Sequence, residues 1–232
     1  CVMTMTVPGP NLVLGRPPLA QELMMPDEEV SSWDFKEGKE GPTGNEPAAV
    51  GRWGASKSKP DGDGSNIGHD WDPRLNASTS EQVLSGAVAY EGPSLTLTDN
   101  QKFCVFARFC DAKGRVWNLV GQSDDKEARE NTIHEANMCP GGRLSAWDND
   151  TQKPFEPHYD PSLGLIEDQA IHSSGGLWVR GGIPVQTEGG ETYEIRNRVT
   201  LCRCGQSSNK PFCNGAHASM KWNDGLGLKP EK

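Results

Sequence analysis

Long apolar runs are missing from this 232-residue chain, and none approaches the roughly 20 residues that a membrane helix needs. That excludes a helical membrane-spanning protein. Basic excess is missing too: Lys and Arg total 23 against 32 Asp and Glu, for a formal charge of −9. A nucleic-acid binder usually presents a basic face, so that class is excluded as well. No Gly-x-Ser-x-Gly elbow, no Ser/His/Asp order and no phosphate loop appear, and the Gly181-Gly182 and Gly189-Gly190 pairs read as turns. His69, His158 and His172 stand in polar loops without partner spacing, and read as surface side chains. The chain therefore shows no catalytic constellation, and the expectation is a protein without enzyme activity. No signal peptide or Arg-rich transit segment is present. The sequence begins at Cys1 rather than Met, which reads as an N-terminus removed or not recorded, more readily than as a processed lipoprotein.

Turn formers are plentiful. Gly 27 and Pro 17 make up about a fifth of the chain, against roughly 12% in average proteins, and hydrophobic residues are only 34%. Loops and short strands are expected to outweigh long helices. Residues 1–85 read as an extended arm, with nine prolines and acidic residues in excess. Its one expected helix is short, about Leu19 to Met25, stopped by Pro26. Such an arm has little core of its own. Trp33, Phe35, Trp53, Trp71 and the Leu23–Met25 stretch are expected to dock it on a protein partner, such as a larger complex, or on the rest of its own chain.

The pattern changes from Gly86. Ser94-Leu-Thr-Leu-Thr alternates as a half-buried strand, and Val116-Trp-Asn-Leu-Val reads as another. Asp124 with Glu127 opens a helix running to about Met138, closed by Pro140-Gly-Gly. Leu144–Asp148 follows, then an irregular segment to Gly176. Leu177–Arg180, Ile183–Gln186 and Tyr193–Arg196 read as strands with a hairpin at Glu188–Glu191, and Val199–Leu201 leads into a cysteine cluster. The segment Asn223–Lys232 reads as a free tail. The fold expected is α+β: short antiparallel strands, one mid-chain helix and a C-terminal ligand loop behind the arm. Three regions follow, 1–85, 86–175 and 176–232.

The seven cysteines are odd in number and tightly grouped, which does not suit a secreted disulfide framework. The run Cys202-Arg-Cys204-Gly-Gln-Ser207-Ser-Asn-Lys-Pro211-Phe-Cys213-Asn-Gly-Ala-His217 places three thiols and an imidazole within 16 residues. Such a donor set suits zinc or an iron–sulfur cluster. A one-residue gap on an extended chain points two sulfurs the same way, which suits one iron of a two-iron cluster, leaving Cys213 and His217 for the other. The run resembles the CDGSH iron–sulfur family, with its pattern Cys-x-Cys-x2-Ser/Thr-x3-Pro-x-Cys-Asp-Gly-Ser/Ala/Thr-His. The matches are Cys202, Cys204, Ser207, Pro211, Cys213, Gly215, Ala216 and His217, and the departure is Asn214 in place of Asp. The resemblance covers about a tenth of the chain. It implies a [2Fe–2S] cluster held by Cys202, Cys204, Cys213 and His217, as in mitoNEET-type proteins. Arg203 and Lys210 beside these ligands read either as charges that favour the reduced cluster or as solvated surface cations.

A second group, Cys104, Cys110 and Cys139-Pro140, resembles the divergent mono-cluster ferredoxin segments. It implies a second iron–sulfur cluster or metal ion, with His134 as the candidate fourth ligand. Three functions are then open. The first is an iron–sulfur protein of electron transfer or cluster handling, within or attached to a larger assembly. The second is an accessory structural subunit of a respiratory complex, peripheral to the membrane. The third is a zinc-stabilised binding module. The first two favour a mitochondrial location, with cytoplasm as the alternative.

Overall fold

The structure is a computed structural model that describes residues 1–41 and 47–226. Strand accounts for 31% and helix for 16%, so the α+β expectation resolves into a mostly sheet protein. In chain order the strands are β1 (Val2–Met5), β2 (Asn11–Leu14), β3 (Leu19–Pro26), β4 (Ser32–Glu40), β5 (Ala48–Val50), β6 (Val88–Glu91), β7 (Leu95–Asp99), β8 (Leu144–Asp148), β9 (Ser162–Asp168), β10 (Ser173–Arg180), β11 (Val185–Thr187) and β12 (Arg198–Leu201). The helices are α1 (Val116–Val120), α2 (Lys126–Asn137) and α3 (Ala216–Ser219). Three sheets form, in the orders β11-β1-β2-β5, β12-β10-β9-β3-β4 and β6-β7-β8.

Residues 1–85 are not an arm laid over a finished body. Strand β3 lies inside the five-stranded sheet, parallel to β9 with Leu19 opposite Leu163, and antiparallel to β4. Strand β1 pairs parallel with β11, Met3 opposite Val185. Met3, Met5, Val13, Leu19, Met24, Val50 and Trp53 are all core residues. The apolar area that so Gly- and Pro-rich a segment needs is thus supplied by its own chain. The aromatics take part: Phe35 packs on Phe109 and Trp178, and Trp53 sits 6.2 Å from Trp71 with its Nε1 donating to Ser65 Oγ.

The Leu19–Met25 helix is corrected to strand β3. A segment buried on both faces, Gln21 and Glu22 included, has no apolar period that separates strand from helix, and Pro26 ends either one. The reverse error occurs at Val116–Val120, which forms α1. Val116, Leu119 and Val120 are its buried residues, a helical spacing, and the left-handed Arg115 (φ 71°) launches the turn. Helix α2 is where it was expected, capped one residue later than the Asp124–Glu127 box: Asp125 Oδ1 accepts from the Ala128 N–H at 2.9 Å. The segment expected to be irregular contains β9 and the start of β10, while Tyr193–Arg196 forms no strand. Of the expected free tail, Asp224 is buried in an ion pair, and residues 227–232 lie outside the described residues. Among the described residues no helix is long and apolar enough to cross a membrane.

Candidate metal centres

Strand β12 delivers the chain to the first ligand pair. Cys202 N–H donates to Pro211 O and Cys213 N–H to Thr200 O, so the two halves of the ligand loop are pinned together at their bases. Ser207 Oγ donates to Phe212 O at 2.6 Å and accepts from Asn209 N–H, which closes the turn between them. Cys202 and Cys204 Sγ are 3.7 Å apart, and Cys213 Sγ is 3.4 Å from His217 Nδ1. With a metal–sulfur bond of about 2.3 Å and a metal–nitrogen bond of about 2.0 Å, two ligands on one tetrahedral metal sit roughly 3.5–3.8 Å apart. Each pair therefore has close to the span of one metal's edge. Among the described residues no three of His, Cys, Asp and Glu converge as the ligands of a single ion.

Asn214, the departure from the family pattern, accepts through its Oδ1 from Ala216 N–H at 3.1 Å. Its Nδ2 adds a bond to Ser208 Oγ. Gly215 N–H points at Cys213 Sγ, 3.4 Å away. All four donor residues are buried. Burial holds the His217 imidazole down at about 4, with the Arg203 charge adding to the effect, so it is neutral at physiological pH with a lone pair to give. Cys202 is the thiol of its pair that ionises first, because Cys204 donates to it and Ser207 and Gly205 N–H add to that. Burial pushes the Cys213 thiol up to about 12, so metal binding there displaces a proton.

The two cations beside the ligands are not solvated. Arg203 and Lys210 are only 3% and 4% exposed. Arg203 is paired with the ionised Asp224 at 2.8 Å, and Glu167, whose carboxyl burial pushes up to about 8, lies 3.3 Å away. Lys210 Nζ donates to Ser207 O at 2.7 Å, and its charge lowers the Cys202 pKa. Lys210 is thus the cation placed to favour negative charge at this site.

Sequence reasoning missed that residues 51–54 cover the cysteine loop. Gly205 (φ 79°) faces the Trp53 backbone so closely that a Cβ would come 2.8 Å from Trp53 O. Trp222 Nε1 donates to Gly54 O at 3.2 Å. The Gly205 position was visible in the sequence, but the close approach that requires glycine there was not.

Cys104, Cys110 and Cys139 line one small, partly open cavity, together with Ala107, Arg108 and Arg143. Cys139 follows the end of α2, where Arg198 of β12 donates to the carbonyls of Ala136, Asn137 and Cys139, and to Leu144 O. His134 does not join the three thiols. Its ring stacks on Trp33 at 4.1 Å, its Nε2 lies 2.7 Å from Trp33 O, and it does not line the cavity. A five-residue step on a helix turns about 140° away from Cys139, which accounts for the miss.

The two centres are neighbours. Thr200 bonds to both: its carbonyl accepts from Cys213 N–H at 2.9 Å, and its hydroxyl donates to Pro140 O at 2.8 Å. Val105, Phe106 and Ala107 line the three-cysteine cavity and also a second cavity that His217 lines. A Cβ on Gly215 would meet Phe106 Cβ at 2.9 Å, so the two ligand loops touch.

Comparison with known families falls on the same two places. Residues 174–218 match the family model described as iron-binding zinc finger CDGSH type. Residues 90–149 match that of the divergent 4Fe-4S mono-cluster. The chain carries two iron–sulfur-type domains. Neither match reaches half of the chain, and no curated protein and no solved structure matches it.

Proposed function

We propose that this protein is an electron carrier with two adjacent iron–sulfur centres. Cys202, Cys204, Cys213 and His217 would hold a [2Fe–2S] cluster, and Cys104, Cys110 and Cys139 a second cluster. Such clusters accept and release single electrons, and one imidazole in place of a thiolate raises the potential. The observation that carries the reading is the shared wall between the sites: Thr200 bonded to both ligand loops, with Val105–Ala107 facing both cavities. A purely structural metal needs no such neighbour.

The chain's own groups each have a part. The neutral His217 and the N–H groups around Cys202 favour bound metal, and Lys210 supplies positive charge beside them. Trp53 and Gly54 pack their backbone directly against Cys204 and Gly205. Iron, sulfide and zinc should be counted on anaerobically purified full-length chain, alongside its visible absorption before and after dithionite. Iron with sulfide in equal amounts, and colour that bleaches on reduction, is the expected result. A colourless zinc protein would overturn the proposal.

A further inference from the structure

Among the described residues, the three-cysteine cavity offers no fourth protein ligand. Its lining offers three thiols, apolar groups and the guanidinium groups of Arg108 and Arg143. A guanidinium has no lone pair to give a metal. Both are in any case engaged, Arg108 with Asp168 at 2.6 Å and Arg143 with Asp99. His134, the one imidazole on the neighbouring helix, is held by Trp33. Midway between Cys104 and Cys110, three residues from each, stands Ala107, buried and lining the cavity. The residues on either side of it, Phe106 and Arg108, are both left-handed (φ 60° and 61°), which curls the loop around that methyl group.

A cubane of four irons and four sulfides needs one outer ligand at each iron. Three thiolates leave one corner without a protein ligand. We propose that the middle centre is a cluster with one open iron corner at Ala107, which loses that iron reversibly on oxidation. The step balances as [4Fe–4S]²⁺ giving [3Fe–4S]⁺, one Fe²⁺ and one electron. The three sulfide bonds to the departing iron break, and a one-electron oxidant such as ferricyanide takes the electron. Re-reduction with added Fe²⁺ rebuilds the corner. The middle site would then respond to iron and oxidant as well as carry electrons, a property the fully ligated C-terminal site lacks. The proposal rests on the reading that the middle cysteines hold a cluster, and its test separates the two.

Full-length chain reconstituted anaerobically should be oxidised with ferricyanide and followed by electron paramagnetic resonance, with released iron trapped by a ferrous chelator. An oxidised two-iron cluster has paired spins and is silent, so the C-terminal centre does not interfere. The expected result is a half-spin signal on oxidation with release of about one ferrous ion per chain. The signal should vanish on adding Fe²⁺ with dithionite, and be absent from Cys139→Ser. Ala107→Cys should keep its fourth iron and suppress the signal at least tenfold. Middle-site absorption that persists through oxidation with no signal and no iron release would overturn the open corner alone. A parent spectrum unchanged by Cys139→Ser would overturn it together with the cluster reading beneath it. The oxidation of the parent chain decides the matter even if Ala107→Cys does not fold.

Discussion

The C-terminal and middle centres sit side by side yet are built in opposite ways. At the first, four donors fall within 16 residues, and the hydrogen bonds that shape the loop are mostly its own. At the second, three donors are spread from residue 104 to 139, and their placement depends on other elements. Arg198 of β12 ties down the Cys139 end, and Asp99 of β7 holds Arg143 beside Cys104. A local site carries its geometry in its spacing. A dispersed site borrows its geometry from the fold, and stability lost elsewhere is lost there first. Removing thiols, clamps and bridges should therefore act unequally on the two.

The largest effect is expected from Cys213→Ser. It removes one ligand of a pair with no substitute, and the C-terminal absorption should disappear while that of the middle site remains. Cys139→Ser should do the converse. Absorption of parent and variants over the visible range checks both, and loss of both centres in either variant would show that they are not separable.

Next in size is Arg198→Met. The change strips one buried guanidinium from four main-chain carbonyls and from Glu156, which is expected to cost about 3 kcal/mol. Denaturant unfolding measures the loss. In the same variant the middle centre should bleach several-fold faster than the C-terminal one, because the clamp acts at Cys139. Equal rates would contradict the contrast drawn above.

Glu135 gives a pH test. It is buried on α2 with neither carboxylate oxygen hydrogen-bonded to a side chain, and burial, then the nearby Asp111 and Asp27, push it up to about 8. The folded chain thus keeps a proton that the unfolded chain releases near the ordinary carboxylate value. Stability from this group is full below about pH 4.5, falls as pH rises, and levels off above about 8. Glu135→Gln should remove that fall. Near pH 9 it should unfold at higher denaturant, by about 2 kcal/mol after allowing for water access, and near pH 4 it should match the parent.

The smallest effect is expected from Thr200→Val, which keeps the shape and removes the hydroxyl bond to Pro140 O. A loss of about 1 kcal/mol is expected, with both centres retained. Its use is to loosen the bridge without removing a ligand.

Legibility follows the same division. The C-terminal donors could be read from the sequence because their grouping is short and helix α3 starts next to them. The middle thiols could be grouped, but not their ligand count, since His134 lies at a helical angle that faces Trp33. In the fold, β7 and α2 were readable from alternation and from a cap. Strand β3 was not, because its partner β9 lies far along the chain, with Leu19 opposite Leu163, and both its faces are buried. The same distance hid the role of residues 51–54, whose contact with Cys204–Gly205 is backbone against backbone and leaves no side-chain signature.

The central claim is that two centres in one chain lie close enough to exchange electrons. Electron paramagnetic resonance relaxation of the reduced C-terminal centre, compared between parent and Cys139→Ser, tests it most directly. The account predicts that the C-terminal signal relaxes faster and is broader in the parent, where a second reduced centre stands behind the Val105–Ala107 wall, than in the variant. Identical relaxation in the two proteins, with both centres present in the parent, would contradict it.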